Sequence, residues 1–151
     1  MGFDIIGMNA KNKKGEYFIN NCWWWRPLAM YVLDNCDIPE KEQNAWAWNN
    51  GEEISEETAL SIAKKLKALI KSGATKKYEK EYKAKIKKLP LVECEFCKGT
   101  GERDDEYVKG KCNCCEGKGK KKEWATAYPF STANVKEFAE FCESSGGFQI
   151  C

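Results

Sequence analysis

Two short stretches of this chain spell one pattern, Cys-x-x-Cys-x-Gly-x-Gly: CEFCKGTG from Cys94 to Gly101, and CNCCEGKG from Cys112 to Gly119. Two cysteines separated by two residues can turn both sulfurs toward one metal ion. Two such turns complete a tetrahedral four-sulfur site of the kind zinc prefers. The phase of the repeat selects the ligands. Cys94 aligns with Cys112 and Cys97 with Cys115, which leaves Cys114, opposite Phe96, as a spare thiol. Gly99 and Gly117, followed by Gly101 and Gly119, stand where the chain needs a positive φ or a close backbone approach. The expected cofactor is one Zn²⁺ per chain, held by Cys94, Cys97, Cys112 and Cys115. Four protein sulfurs leave no position for water, so the site reads as structural rather than catalytic. The competing reading is a reduced cysteine cluster without metal, or a redox pair.

The doubled motif resembles the cysteine-rich module of DnaJ-type co-chaperones, which is built on the same CxxCxGxG repeat. The resemblance covers residues 94–119 only. Proteins of that family carry four copies and two zinc ions; two copies here imply one. The two ends of the chain resemble small bacterial and phage proteins, through MGFD, GEYF and WWWRPL at the front and YPFS, NV and GGF at the back.

The rest of the composition limits the chemistry. The chain has 151 residues, nine cysteines and no histidine. Without histidine, Ser-His-Asp and Cys-His catalysis and His-liganded metals are excluded. Nine cysteines with no export signal argue against a disulfide framework. No P-loop or GxGxxG motif occurs. Acid pairs such as Glu52-Glu53, Glu56-Glu57 and Asp104-Asp105 read as caps or solvated turns. Cys22, Cys36, Cys142 and Cys151 read as buried or idle thiols. No apolar run approaches a membrane span. The expectation is a cytoplasmic protein, non-enzymatic, with no membrane partner.

Two further features could bind something. The segments CWWWRPL and WAW hold five of the six tryptophans. Trp23, Trp24, Trp25, Trp46 and Trp48, with Arg26 and Tyr31, could form an aromatic platform that stacks a nucleotide and pairs its phosphate. The alternative is core packing, with Arg26 covering an indole face. In an extended segment, Trp23 and Trp25 would share one side and Trp24 the other. Residues 64–90 carry eleven lysines against two glutamates. Lys76, Lys77, Lys80, Lys83 and Lys87, and Lys120 and Lys121 beyond the cysteines, could contact a polyanion in a salt-dependent way. The alternative is a solvated helix face.

The elements that must position these residues follow from periodicity and punctuation. Phe3–Met8 reads as a short buried strand, followed by a polar turn and a second strand or extended segment near Glu16–Ile19. Pro27 suits the first turn of a helix carrying Leu28, Tyr31 and Val32. Ser55 reads as an N-cap, Gly73 as the C′ residue, and Ala59, Ile62, Ala63, Leu66, Leu69 and Ile70 as one apolar face. A lysine-rich helix from about Lys76 stops before Pro90. After the cysteines, EWATAYPF reads as a strand or extended return. Ser131 or Thr132 caps a last helix, and FQIC adds a terminal strand. The fold class expected is α+β: a small mixed domain of three to four helices and a short sheet, from 1–91 and 123–151, with a zinc hairpin inserted at 92–122.

Two functions follow. The first is a zinc-stabilised binding protein contacting nucleic acid or another protein. The second is a small-molecule or nucleotide binder using the tryptophan segment and Arg26, of which a phage protein sequestering a host signal would be one case.

Overall fold

A computed structural model describes residues 2–151 of the chain. It is a small mixed α+β protein that divides into two compact units, one of residues 2–83 with Tyr128–Cys151, the other Ala84–Ala127.

The larger unit is built on a four-stranded antiparallel sheet. Its strands are β1 (Gly2–Gly7), β2 (Tyr17–Asn21), β3 (Glu52–Ile54) and the C-terminal Phe148–Ile150, in the order β2, β1, C-terminal strand, β3. The last strand is therefore interior to the sheet, paired through Ile5↔Ile150 on one side and Ile54↔Phe148 on the other. Alternation along the strands sorts the side chains by face. Phe3, Ile5, Phe18, Ile54, Phe148 and Ile150 are buried, while Ile6, Tyr17 and Ile19 are exposed.

Helices cover the buried face. A one-turn helix, α1 (Lys13–Glu16), precedes β2; α2 (Cys22–Asn35) follows it, and a second single turn, α3 (Glu40–Gln43), leads toward β3. Then come α4 (Glu56–Lys71), α5 (Ala74–Lys87) and, after the cysteine segment, α6 (Thr132–Ser144). The caps are those the sequence announces. Ser55 Oγ accepts from the Thr58 amide at 3.3 Å, and Ser131 Oγ from the Asn134 amide at 3.2 Å. Gly73 takes φ +82° just past α4. The α4 and α6 faces pack most extensively on each other, which buries Ile62, Leu66, Val135, Phe138 and Phe141.

Several expectations need correction. The tryptophan run is not extended. Asn21 caps α2 by accepting from the Trp23 and Trp24 amides, each at 3.1 Å, so the helix starts five residues before Pro27. Asn21 outcompeted the proline as the start signal because its side chain satisfies two orphan amides. Glu52 and Glu53 lie in β3 rather than in a turn, and Trp124–Ala127 is a 3₁₀ turn rather than a strand. Pairing with the C-terminal strand makes Glu52–Ile54 a strand, whereas the Thr126 amide donating to Glu123 O at 2.9 Å closes the second segment as a turn.

Candidate functional site

The smaller unit has a buried core of four residues: Cys94, Cys97, Cys112 and Cys115. Their sulfurs all lie within 4.8 Å of one another, an arrangement that could hold a metal ion. Cys94 Sγ is 3.9 Å from Cys112 Sγ, and Cys97 Sγ is 3.7 Å from Cys115 Sγ. Cys114 is exposed and outside the quartet, as the repeat phase requires.

The local structure follows from the repeat. β4 (Leu91–Glu93) enters the first knuckle and β5 (Glu102–Asp104) leaves it; β6 (Lys109–Lys111) enters the second and β7 (Lys120–Lys122) leaves. β4 pairs with β7 and β5 with β6, both antiparallel. A shift of 18 residues, the spacing of the paired cysteines, turns one ladder into the other, Glu93↔Lys120 into Lys111↔Glu102. The knuckles exchange backbone bonds in the same symmetric way. The Cys94 amide donates to Gly119 O at 2.9 Å, and the Cys112 amide to Gly101 O at 2.8 Å.

Each knuckle also aims an amide at its second sulfur. The Gly101 N–H donates to Cys97 Sγ at 3.3 Å, and the Gly119 N–H to Cys115 Sγ at 3.2 Å. Both glycines sit at positive φ, and a Cβ on either would lie 2.2–2.4 Å from a carbonyl oxygen of the opposite knuckle. No other residue fits there. The donors favour thiolate over thiol. Burial acts the other way and pushes the Cys97 thiol up to about 11. A cation bound among the sulfurs would offset that opposing effect.

The hairpin keeps its large apolar residues outside. Leu91, Phe96, Tyr107 and Trp124 are exposed. Lys121 Nζ stands 5.3 Å from the Phe96 ring centre and 4.7 Å from that of Trp124, with Arg103 5.4 Å from Phe96 on its own approach. Both cations carry acids: Lys121 pairs with Glu95 at 2.6 Å and Arg103 with Asp105 at 2.6 Å. Arg103, Phe96 and Trp124 were not anticipated as a group. Their sequence separation hides a contact that only the two ladders create.

The tryptophan candidates separate. Trp25 is 0% exposed, stacked 5.2 Å from Phe3 and 5.7 Å from Trp46, with its Nε1 donating to Trp46 O at 3.2 Å. Trp46 is 2% exposed. Tyr31 is also buried, its hydroxyl 3.0 Å from Thr75 Oγ1 and its ring against Tyr78 and Phe130. Trp25, Trp46 and Tyr31 are therefore core residues, because helix α2 turns its 25, 28, 31 and 32 positions inward. Trp23 and Trp24 are half-buried, Trp23 lying 5.0 Å from the Tyr128 ring. Arg26 is exposed, and Trp48 is 67% exposed. A concavity of about 290 Å³ opens here, lined by Arg26, Met30, Leu33 and Trp48 with the buried Phe3, Trp25 and Trp46.

The lysine candidates mostly carry acids as well. Glu79 is buried and binds Lys83 at 2.5 Å and Lys76 at 3.0 Å. It also accepts from the Thr132 hydroxyl at 2.7 Å and the Thr132 amide at 3.2 Å, tying α5 to the start of α6. These bonds, Lys83 first and Thr132 next, hold its carboxyl down at about 2. Lys77 stands 3.9 Å from Glu81, and Lys120 faces Glu93 across the ladder. Lys80 and Lys87 have no ion pair among the described residues. The spacing of Glu79 to Lys76 and Lys83 was visible in the sequence; its burial was not.

Cys142 is fully buried, and burial raises its thiol; burial also raises Cys36, to about 11. No helix among the described residues is long and apolar enough to cross a membrane. No family model, curated protein or solved structure matches the chain.

Proposed function

We propose that this is a non-enzymatic, zinc-stabilised binding protein, whose cysteine hairpin braces an aromatic and basic surface for a macromolecular partner. The observation that carries the zinc assignment is the hairpin core itself, which consists of four cysteines and no apolar side chain. Zinc–sulfur bonds of about 2.3 Å set tetrahedral sulfurs about 3.8 Å apart. The two spacings across the knuckles, 3.9 and 3.7 Å, match that geometry. One ion saturates the quartet, so its contribution is to folding. Metal analysis of protein purified without added metal is expected to return one zinc per chain; well under one equivalent sinks the assignment.

The partner reading rests on the exposed Phe96, Tyr107 and Trp124 and on the cations laid over Phe96 and Trp124. Unpaired bases stack on such rings, and the lysines then follow phosphates. Titration with single-stranded RNA at low and at physiological salt tests this. Saturable binding that weakens steeply with salt assigns nucleic acid. No binding even at low salt removes nucleic acid and leaves a protein partner.

A second reading is supported by the 290 Å³ concavity beside Arg26. Its apolar walls suit a flat ring, and the Arg26 guanidinium, which has no ion pair among the described residues, suits a phosphate. Tryptophan fluorescence across a panel of nucleotides tests it, and a flat response throughout removes it.

A further inference from the structure

The sheet of the larger unit ends on β2 at one side and on β3 at the other. β3 is three residues long and carries Glu52 and Glu53. Shortness and charge are what protect a sheet edge from pairing with another chain. β2 has neither protection, since Tyr17–Asn21 runs five residues without a charge. The register shows what this edge leaves open. Asp4 exchanges both of its backbone bonds with Cys151, each at 2.8 Å, so its N–H and C=O point away from β2. Its neighbours Phe3 and Ile5 therefore point toward β2, where they face Asn20 and Phe18. Ile19, between those two, turns its N–H and C=O outward, and neither has a hydrogen-bond partner among the described residues. Its side chain is 60% exposed on the uncovered face of the sheet, beside the exposed Ile6 and Tyr17.

The helix side of the same edge is charged. A concavity of about 220 Å³ is lined there by Lys14, Tyr17, Phe18, Glu137, Glu140 and Phe141. Lys14 is engaged by Glu140 at 2.6 Å, while Glu137 is exposed and has no ion pair among the described residues. An added strand alternates its side chains between these two faces. A residue set opposite Ile19 lies on the apolar face, the next, opposite Phe18, turns toward Glu137, and the one after, opposite Tyr17, returns to the apolar face. A second copy of this chain fits poorly. Pairing β2 with itself about Ile19 sets the copy's Asn20 opposite Phe18, which supplies no cation, and brings two Glu137 carboxylates toward each other. We propose that β2 accepts an extended peptide of another protein as a fifth strand, with the pattern apolar, Arg or Lys, apolar. Ladder bonds to Ile19 give the affinity, and charge complementarity with Glu137 selects the middle residue. This surface belongs to the larger unit and is independent of the hairpin surface.

The test is a two-dimensional amide NMR titration of the full zinc-loaded chain with the capped peptide STIRVTS. The expected result is saturable shifts centred on residues 14–21 and 134–141. Two altered peptides probe the two contacts without asking anything of the protein's folding. Methylating the backbone nitrogen of the peptide's isoleucine removes a ladder bond and is expected to weaken binding about fivefold or more. The charge-reversed peptide STIEVTS is expected to bind about threefold more weakly or worse. Glu137→Lys, on an exposed helix face, is expected to invert the preference between STIRVTS and STIEVTS. Shifts that never saturate, or that centre elsewhere, overturn the proposal. So does equal binding of the methylated peptide or of STIEVTS. Self-association of the unliganded chain that STIRVTS competes away gives the edge to a second copy and overturns it as well.

Discussion

The two units of this chain solve the problem of holding together in opposite ways. The larger buries its aromatic rings. Trp25, Trp46, Phe138, Phe141 and Phe148 form one contiguous set of stacked and edge-to-face pairs, with centroids 5.2–6.1 Å apart where they meet Phe3, Phe18 and each other. The smaller leaves Phe96, Tyr107 and Trp124 outside and buries sulfur. The difference is one of scale. A segment of this length cannot enclose enough apolar area to offset its chain entropy, and small domains of that kind are usually stapled. A metal ion held by the four sulfurs, as proposed above, would concentrate the needed free energy into one sphere, about 10–16 kcal/mol for zinc in comparable peptides. Phe96, Tyr107 and Trp124 stand at the surface instead, with Lys121 over the Phe96 and Trp124 rings.

The contrast can be broken most severely at the sulfurs. Cys97→Ser, or a strong chelator, is expected to abolish stoichiometric zinc and to remove amide-exchange protection throughout residues 91–122. The melting transition of the larger unit persists. Retained protection after metal loss overturns the staple.

The mirror experiment is Phe138→Ala. It opens a cavity at the centre of the aromatic set and is expected to cost about 3–5 kcal/mol, read by denaturant unfolding, with zinc content unchanged.

A smaller effect is expected at Glu79, whose buried carboxylate ties α5 to α6. Glu79→Gln is expected to cost about 1.5–3 kcal/mol at neutral pH, the value of hydrogen bonds to a charged group. The sign of its pH dependence follows from its lowered value, about 2 against the ordinary 4.5. Its contribution is fully present above the ordinary value and is lost as pH falls through about 2. Melting temperatures of parent and variant should therefore converge as the pH falls from 4.5 toward about 2. A gap that stays constant across that window removes the assignment. The smallest effect is expected at Cys114. Cys114→Ser should leave zinc stoichiometry unchanged and stability within about 0.5 kcal/mol, as measured by metal analysis and thermal melting. Loss of zinc would mean that the ligand register is displaced.

Much of this was legible in the chain itself, for local reasons. The cysteine–glycine phase named the quartet and left Cys114 out, because metal geometry and positive φ act over a few residues. Ser55, Gly73 and Ser131 marked helix ends for the same reason: a cap is a contact between near neighbours. The tertiary structure alone decided the rest. It put the C-terminal strand inside the sheet, buried Trp25, Trp46 and Tyr31 while leaving Trp48 exposed, and brought Phe96, Arg103, Lys121 and Trp124 into one stack. It also set Lys76, Lys77, Lys83 and Lys121 against acids and buried the Glu42 and Glu79 carboxylates. Burial and pairing depend on which distant segment arrives opposite, and spacing along one strand or helix carries no record of its neighbour.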